Sequence, residues 1–204
     1  MDHELSQVRE LYIHQKKELA ELFGFETRNK YVICDQNNHE LFFAAEQQKG
    51  LAGFFMRQFL GHWRSYEISI FDRQKNLVLR ATHPFRFFFQ RLEVYTSQGV
   101  LLGALQGRFA FFCRKFDFED AHGRLLAQVS SPWYKFWTFP IMKKNKEVAM
   151  VKKKWSGFFS EVFTDGDKFH ISFLETTLEL DLKKLIMAAG LFIDLQYFER
   201  KASK

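Results

Sequence analysis

Three features of the chain predict a mainly β fold, a closed antiparallel barrel of about twelve strands around its own C-terminal helix. Short apolar arms recur around Gly, Asn and Asp turns, aromatic residues make up 18% of the chain, and a single brief apolar helical segment follows the last arm. Aromatics favour strands and fill wide cores, and barrel closure removes the exposed edges that so many strands would otherwise present.

The 204 residues are enough for one full core. A chain of this size buries roughly 70% of its unfolded surface and needs no disulfide or metal to fold. Cys34 and Cys113 are the only cysteines and lack CxxC spacing, which suits tolerated thiols in a reducing compartment. The opening MDHELSQVRELYIHQKKELAE is charged throughout and has no apolar signal region. Residues 1–24 are expected to form an N-terminal amphipathic helix, with Leu5, Val8, Tyr12, Leu19 and Leu22 at 3–4 spacing, Gln15 in the seam and Gly24 as C-cap. Such a seam suits packing on the chain's own body or pairing in a homo-oligomer.

Residues 25–204 are expected to form the barrel domain. YVICD and ELFFAAE flank QNNH, YEISIFD and LVLRAT flank RQKN, and RLEVYT and VLLGAL flank SQG. FFCRKFDF and RLLAQVS flank EDAHG, and KWSGFFSEVF and KFHISFL flank TDGD. Each has the form of a hairpin. With three prolines and no Gly-rich linker, nothing divides the series. A helix over about 181–198 follows, with an apolar face formed by Leu185, Ile186, Met187, Leu191, Phe192 and Ile193. It is apolar nearly all round yet shorter than the about 20 residues of a membrane span, so it belongs inside protein. Asp194 would then need a buried partner.

The formal charge is +6, and Lys143, Lys144, Lys146, Lys152, Lys153 and Lys154 lie close together. Such a cluster attracts phosphates of lipid head groups or nucleic acid, or simply marks solvated strand ends. Trp133, Tyr134, Phe136, Trp137 and Phe139 precede the lysines, a combination suited to the head-group boundary of a bilayer. GLAGFFMRQFLGHW, with Phe54, Phe55, Phe59 and Trp63, is a second aromatic segment. In a barrel about half of such rings point inward as core.

From Lys154 to Glu199 the chain resembles the final third of phospholipid scramblases: a Trp-x-Gly strand, a TDxD turn, F-x-I-x-F, an acidic stretch and an apolar helix ending in FIDLQYFE. Upstream, NKYVICDQNNHELFFAAE and RSYEISIFDRQKNLVLRATHPFRF resemble two hairpins of the same family. The family's Pro-rich N-terminal region and cysteine-rich palmitoylation segment are missing, which suggests a minimal, bacterial-like version. The resemblance implies a tubby-like barrel, calcium-triggered movement of phospholipids between leaflets, and a peripheral or monotopic place on the cytoplasmic face of a membrane. It carries calcium ligation onto Asp165 and Asp167, with Glu179 and Asp181 in the acidic loop before the helix. That loop lacks the family's proline and is one residue longer. TDGD also reads as a plain hairpin turn, and it does not follow the EF-hand pattern.

Nucleophile-elbow, phosphate-loop and dinucleotide motifs are absent, and the seven histidines lack zinc spacing. Lipid translocation or binding without covalent chemistry is the expectation. The alternative to transport is a tubby-like module holding anionic, phosphoinositide-type head groups at an anionic membrane surface. Nucleic acid ranks last as a partner, since no nucleic-acid motif accompanies the charge.

Overall fold

The computed structural model describes residues 1–16, 27–47, 65–86, 88–110, 113–132, 134–135, 137–154 and 168–198. The strands are β1 (Glu10–Gln15), β2 (Thr27–Cys34), β3 (Glu40–Gln47), β4 (Tyr66–Asp72), β5 (Leu77–His83) and β6 (Arg91–Thr96). Then come β7 (Leu101–Arg108), β8 (Cys113–Asp120), β9 (Leu125–Pro132), β10 (Thr138–Lys143), β11 (Lys146–Lys154) and β12 (Lys168–Phe173). Each strand pairs antiparallel with its neighbours in chain order, and β1 sits between β12 and β2 to close the ring. Helices α1 (Asp2–Gln7) and α2 (Leu180–Ile193) complete the fold, and α2 runs on into a π-helical turn, Asp194–Phe198.

Alternation along each strand sends one face inward. Phe42, Phe116, Phe118, Phe139 and Phe169 are fully buried around α2, whose residues from Leu182 to Ile193 are all buried. The helix that is apolar on every side is therefore enclosed on every side, as expected. Close approach is required at Gly103 of β7, where a Cβ would meet the Glu119 carbonyl and lie 3.0 Å from the Leu185 methyl of α2.

The N-terminal segment departs from the expected long helix. α1 ends at Gln7, and residues 10–15 form β1 instead. Leu11 and Ile13 point into the core while Tyr12 stacks outside on His170, ring centroids 4.6 Å apart. The spacing of Leu5, Val8 and Tyr12 suits a helix, but pairing on both sides of β1 satisfies backbone groups that a short isolated helix would leave to water. Leu5 and Val8 are buried in the core, so the seam is occupied within the chain. Leu19 and Leu22 lie outside the described residues.

Of the last predicted hairpin, β12 supplies KFHISF of the second arm. β11 ends at Lys154, and WSGFFSEVF beyond it lies outside the described residues, as does GLAGFFMRQFLGHW. An unanticipated hairpin joins β10 to β11 through Lys144 and Asn145, both at positive φ (49° and 63°). This is the backbone of a two-residue hairpin turn.

The topology gives the barrel two unlike ends. At one rim lie five tight turns (β2–β3, β4–β5, β6–β7, β8–β9 and β10–β11), together with α1 and the start of α2. Asp35 and Asp72 organise two of these turns in the same way, each carboxylate accepting from the backbone N–H two and four residues on, at 2.8–2.9 Å. At the other rim lie the β5–β6, β7–β8 and β9–β10 connections, and there too β1, β3 and β11 end and β2, β4 and β12 begin.

Candidate functional site

The expected residues distribute over both rims and the interior, and the strands dictate which goes where. On β11, Ala149, Val151 and Lys153 share the inward face, while Lys152 is exposed. Lys153 is thus a core residue and not a head-group contact: its ammonium lies 3.8 Å from the Asp194 carboxylate, both side chains only 3% exposed. It also sits 5.3 Å from the Phe169 ring centroid. The Tyr31 hydroxyl donates to Asp194 at 2.8 Å. The buried partner that Asp194 requires is this Lys153–Tyr31 pair, which holds the last turn of α2 from β11 and β2, strands separated in the ring by β12 and β1.

The other end of α2 is held by Lys183, 2% exposed. Its Nζ donates to the carbonyls of Leu5, Ser6 and Val8 at 3.2, 3.0 and 3.2 Å, and lies 5.1 Å from the Phe173 ring centroid. All three ammonium donors are used. Burial pushes the Lys183 pKa below the usual lysine value. The adjacent Lys184 reaches Asp2 and Asp181 at 3.2 and 3.3 Å.

The remaining lysines do not form one cluster. Lys143, Lys144 and Lys146 surround the β10–β11 turn at the tight-turn rim, and Lys152 and Lys154 belong to the far end of β11. A nine-residue strand separates the groups by about 25 Å. For the same reason β10 stands between the aromatic segment and Lys143, so the two cannot make one head-group boundary. Lys143 pairs with Glu179 at 2.9 Å and Lys146 with Glu175 at 3.8 Å. The Lys154 side chain, Trp133 and Phe136 lie outside the described residues.

Of the carboxylates carried over for calcium, Glu179 and Asp181 start α2 at the tight-turn rim, each paired with a lysine. β12 enters at Lys168 on the opposite rim and runs six residues, about 20 Å, before that point. Asp165 and Asp167 lie outside the described residues, among which no group of three metal-ligating side chains occurs.

The loop rim carries the signal that composition only hinted at. Among the described residues the exposed large aromatics are Phe85, Phe88, Phe89, Phe109, Tyr134 and Trp137, and all six lie in its three loops. The exposed aliphatics Val100, Leu125 and Leu174 are single residues at the tight-turn rim. The aromatic loops adjoin one another: Gly107 N–H donates to the Gln90 carbonyl at 2.7 Å and the Gln106 amide to the Phe89 carbonyl at 3.1 Å. A cleft of about 290 Å³ opens between Phe89 and Phe109, with Arg108, Arg114 and Lys115 along it and Phe192 of α2 on its wall.

The barrel wall between the rims is charged. Arg91 meets Glu93 and Glu119 at 3.1 and 2.8 Å, and Arg108 meets Asp117 and Glu119 at 2.7 and 2.8 Å, across β6, β7 and β8. A lipid-spanning barrel needs the reverse, an apolar outer band. No helix among the described residues is long and apolar enough to cross a membrane.

A charged wall, an apolar core and one aromatic rim form the setting for the comparisons. Human phospholipid scramblase 2 is 29% identical over 96% of this chain and 69% of its own length. Mouse phospholipid scramblase 1 is 28% identical over 98% and 64%. The chain thus spans about two thirds of such relatives. An X-ray structure of a protein from Arabidopsis thaliana covers 91% of this chain and 89% of that one, at 15% identity and a TM-score of 0.49. The Scramblase family model matches residues 2–200, so the barrel and its enclosed helix together account for the match, and the chain belongs to the Scramblase family.

Proposed function

We propose that the protein associates with membranes peripherally and moves phospholipids between leaflets without covalent chemistry. The observation that carries this reading is the family match over residues 2–200, which takes in the complete barrel and its apolar helix. A head group must cross a hydrocarbon layer about 30 Å thick. Withdrawing α2 into the bilayer would be one route, but Leu182, Leu185, Ile186, Met187, Leu191, Phe192 and Ile193 are all buried. Lipid would receive these side chains without the cost of meeting water, but the apolar lining they leave, Phe42, Phe116, Phe118, Phe139 and Phe169 included, would be uncovered, at about 1.5–3 kcal/mol for each ring wetted. Lys183 and Asp194 oppose withdrawal further. The favoured route is perturbation of lipid packing from the surface by an intact barrel. Self-association through the N-terminal seam has no place in it, since Leu5 and Val8 are core. Calcium enters as a trigger through Asp165 and Asp167, with further oxygen ligands completing its shell. A cytoplasmic-face position accords with this calcium dependence.

The second reading is a lipid-binding module that holds anionic head groups without transport. It is favoured by the unbroken strand ring, which offers no seam for a head group. Reconstitution with fluorescent phospholipids and an external quencher, with calcium and with chelator, decides between them. Lipid exchange supports transport, and exchange lost in Asp165→Asn with Asp167→Asn supports the calcium trigger. Vesicle binding with no exchange at high protein-to-lipid ratio overturns transport and leaves the binding module.

A further inference from the structure

We infer that the protein docks on anionic bilayers by one end of its barrel, the rim formed by the β5–β6, β7–β8 and β9–β10 loops, with the barrel axis directed at the membrane. The inference rests on the membrane reading above and adds to it a face and an orientation.

The six exposed aromatics are the main observation. Phe88 is 80% exposed, Phe109 66% and Tyr134 63%, so these rings meet solvent, while Phe116 and Phe118 of β8 and Phe139 of β10, a few residues along two of the adjoining strands, fill the core. Exposed rings at this density on a single rim are costly in water and gain at a lipid interface, where the edge of the head-group layer favours aromatic side chains. Strand order makes the rim continuous: β5 to β10 are neighbours, so the three loops lie over successive hairpin gaps of one arc.

Charge complementarity decides for an anionic bilayer as occupant. In the described parts of the three loops Arg86 and Lys135 are exposed and no acidic residue occurs. Just behind the rings stand Arg114 and Lys115 along the cleft, and Lys152 on β11, while Arg108 beside them is paired with Asp117 and Glu119. Rings in front and cations one step behind match the order of acyl boundary and phosphate layer in a bilayer. The opposite rim mixes both signs, with Asp35, Asp72, Asp120, Glu175, Glu179 and Asp181 among Lys143, Lys144 and Lys146, and among the described residues it carries no exposed Phe, Tyr or Trp ring. The wall over β6, β7 and β8 is salt-bridged, which disfavours laying that face on lipid. With the aromatic rim docked, the C-terminal end of α2, with Phe192 on the cleft wall, faces lipid, and the Asp194–Lys153–Tyr31 contacts stand directly behind the docking surface.

Environment-sensitive labels at the two rims test this. With Cys113→Ser, the remaining Cys34 is buried, and burial together with nearby Glu40 pushes its thiol up to about 11, so added cysteines react selectively. Full-length Phe88→Cys and His122→Cys, each carrying an NBD group, are mixed with equimolar phosphatidylserine–phosphatidylcholine vesicles and followed by emission and co-sedimentation. The expected result is a blue shift and several-fold brightening at position 88, reversed by high salt, with position 122 unchanged. Phe88→Ser with Phe109→Ser is expected to weaken vesicle binding at least about tenfold while the circular dichroism spectrum is retained. A response at 122 but not at 88 in protein that pellets with vesicles overturns the orientation and leaves the membrane reading standing. No pelleting overturns both. A concentration-dependent shift at 88 without lipid overturns the proposal in favour of a second copy of the chain on this rim.

Discussion

Replacing Lys183 by Met tests how α1 and the core helix are joined. Methionine keeps the unbranched apolar stem and deletes the ammonium that donates to Leu5, Ser6 and Val8 at 3.0–3.2 Å. α1 is only six residues long, so its final carbonyls have few partners of their own. Leu5 and Val8 are 0% and 7% exposed, which keeps water from replacing the lost donor at two of the three carbonyls. An unsatisfied buried carbonyl costs about 1–3 kcal/mol, and release of the ammonium's desolvation penalty returns part of this. The expected net loss is about 2–4 kcal/mol, or roughly 5–15 °C in Tm for a chain of this size. Lys184→Met is the internal control, since Lys184 pairs with Asp2 and Asp181, whose side chains are 64% and 66% exposed. It should cost less than about 1 kcal/mol. Urea unfolding gives both values, and amide exchange should show residues 2–15 opening early only in Lys183→Met. Equal stabilities for the two variants would refute the capping argument.

Asp194→Asn should destabilise by about 3–5 kcal/mol because it strands a buried lysine, whereas Asp194→Leu combined with Lys153→Met should recover much of that; a double variant no better than the single one would show the pair is not coupled. For Asp35, burial raises the pKa, but the hydrogen bonds from His39 and Asn37 outweigh it and hold the carboxyl below its usual 3.8. Its contribution is therefore present above 3.8 and lost as pH falls through the lower folded value, so Asp35→Ala should flatten the acid limb of a stability–pH curve; an unchanged acid limb would count against the turn's role. Gln at Lys143, Lys144 and Lys146 together should leave anionic-vesicle binding within about twofold of the parent, measured by co-sedimentation, and a larger loss would move the docking face to the tight-turn rim.

The hairpins around QNNH, RQKN, SQG and EDAHG were legible because turn chemistry and period-two alternation coincide there. The enclosed helix was legible for a different reason, being apolar all round yet too short to span. β1 was not, because Leu5, Val8 and Tyr12 fit a helical period while Leu11 and Ile13 fit a strand, and only the need to close the ring between β12 and β2 decides between them. The β10–β11 hairpin had a usable signal in Lys144-Asn145, obscured by reading the surrounding lysines as a charge cluster. Of the docking rim the sequence singled out Tyr134 and Trp137, but not Phe85, Phe88, Phe89 or Phe109. The aromatics come from three separate loops, and the same residue type fills the core, so exposure is the only property that separates them.

Lys152, Lys153 and Lys154 show how far strand geometry alone reaches. Three consecutive lysines on one strand cannot all face water, because alternation turns the middle one opposite to its neighbours. An inward lysine in an apolar barrel requires an anion, and the core helix contributes one, Asp194, whose own burial requires a cation. The two requirements answer each other, so the Lys153–Asp194 contact is deducible from alternation and burial once β11 is recognised as a strand. That deduction bears on function. The charge that anchors the end of α2 lies behind the rim proposed to meet lipid, and with its side chain only 3% exposed Lys153 stays with Asp194 and out of reach of lipid phosphates while the barrel is intact. The helix is thus held at the membrane end by this pair and at the far end by Lys183.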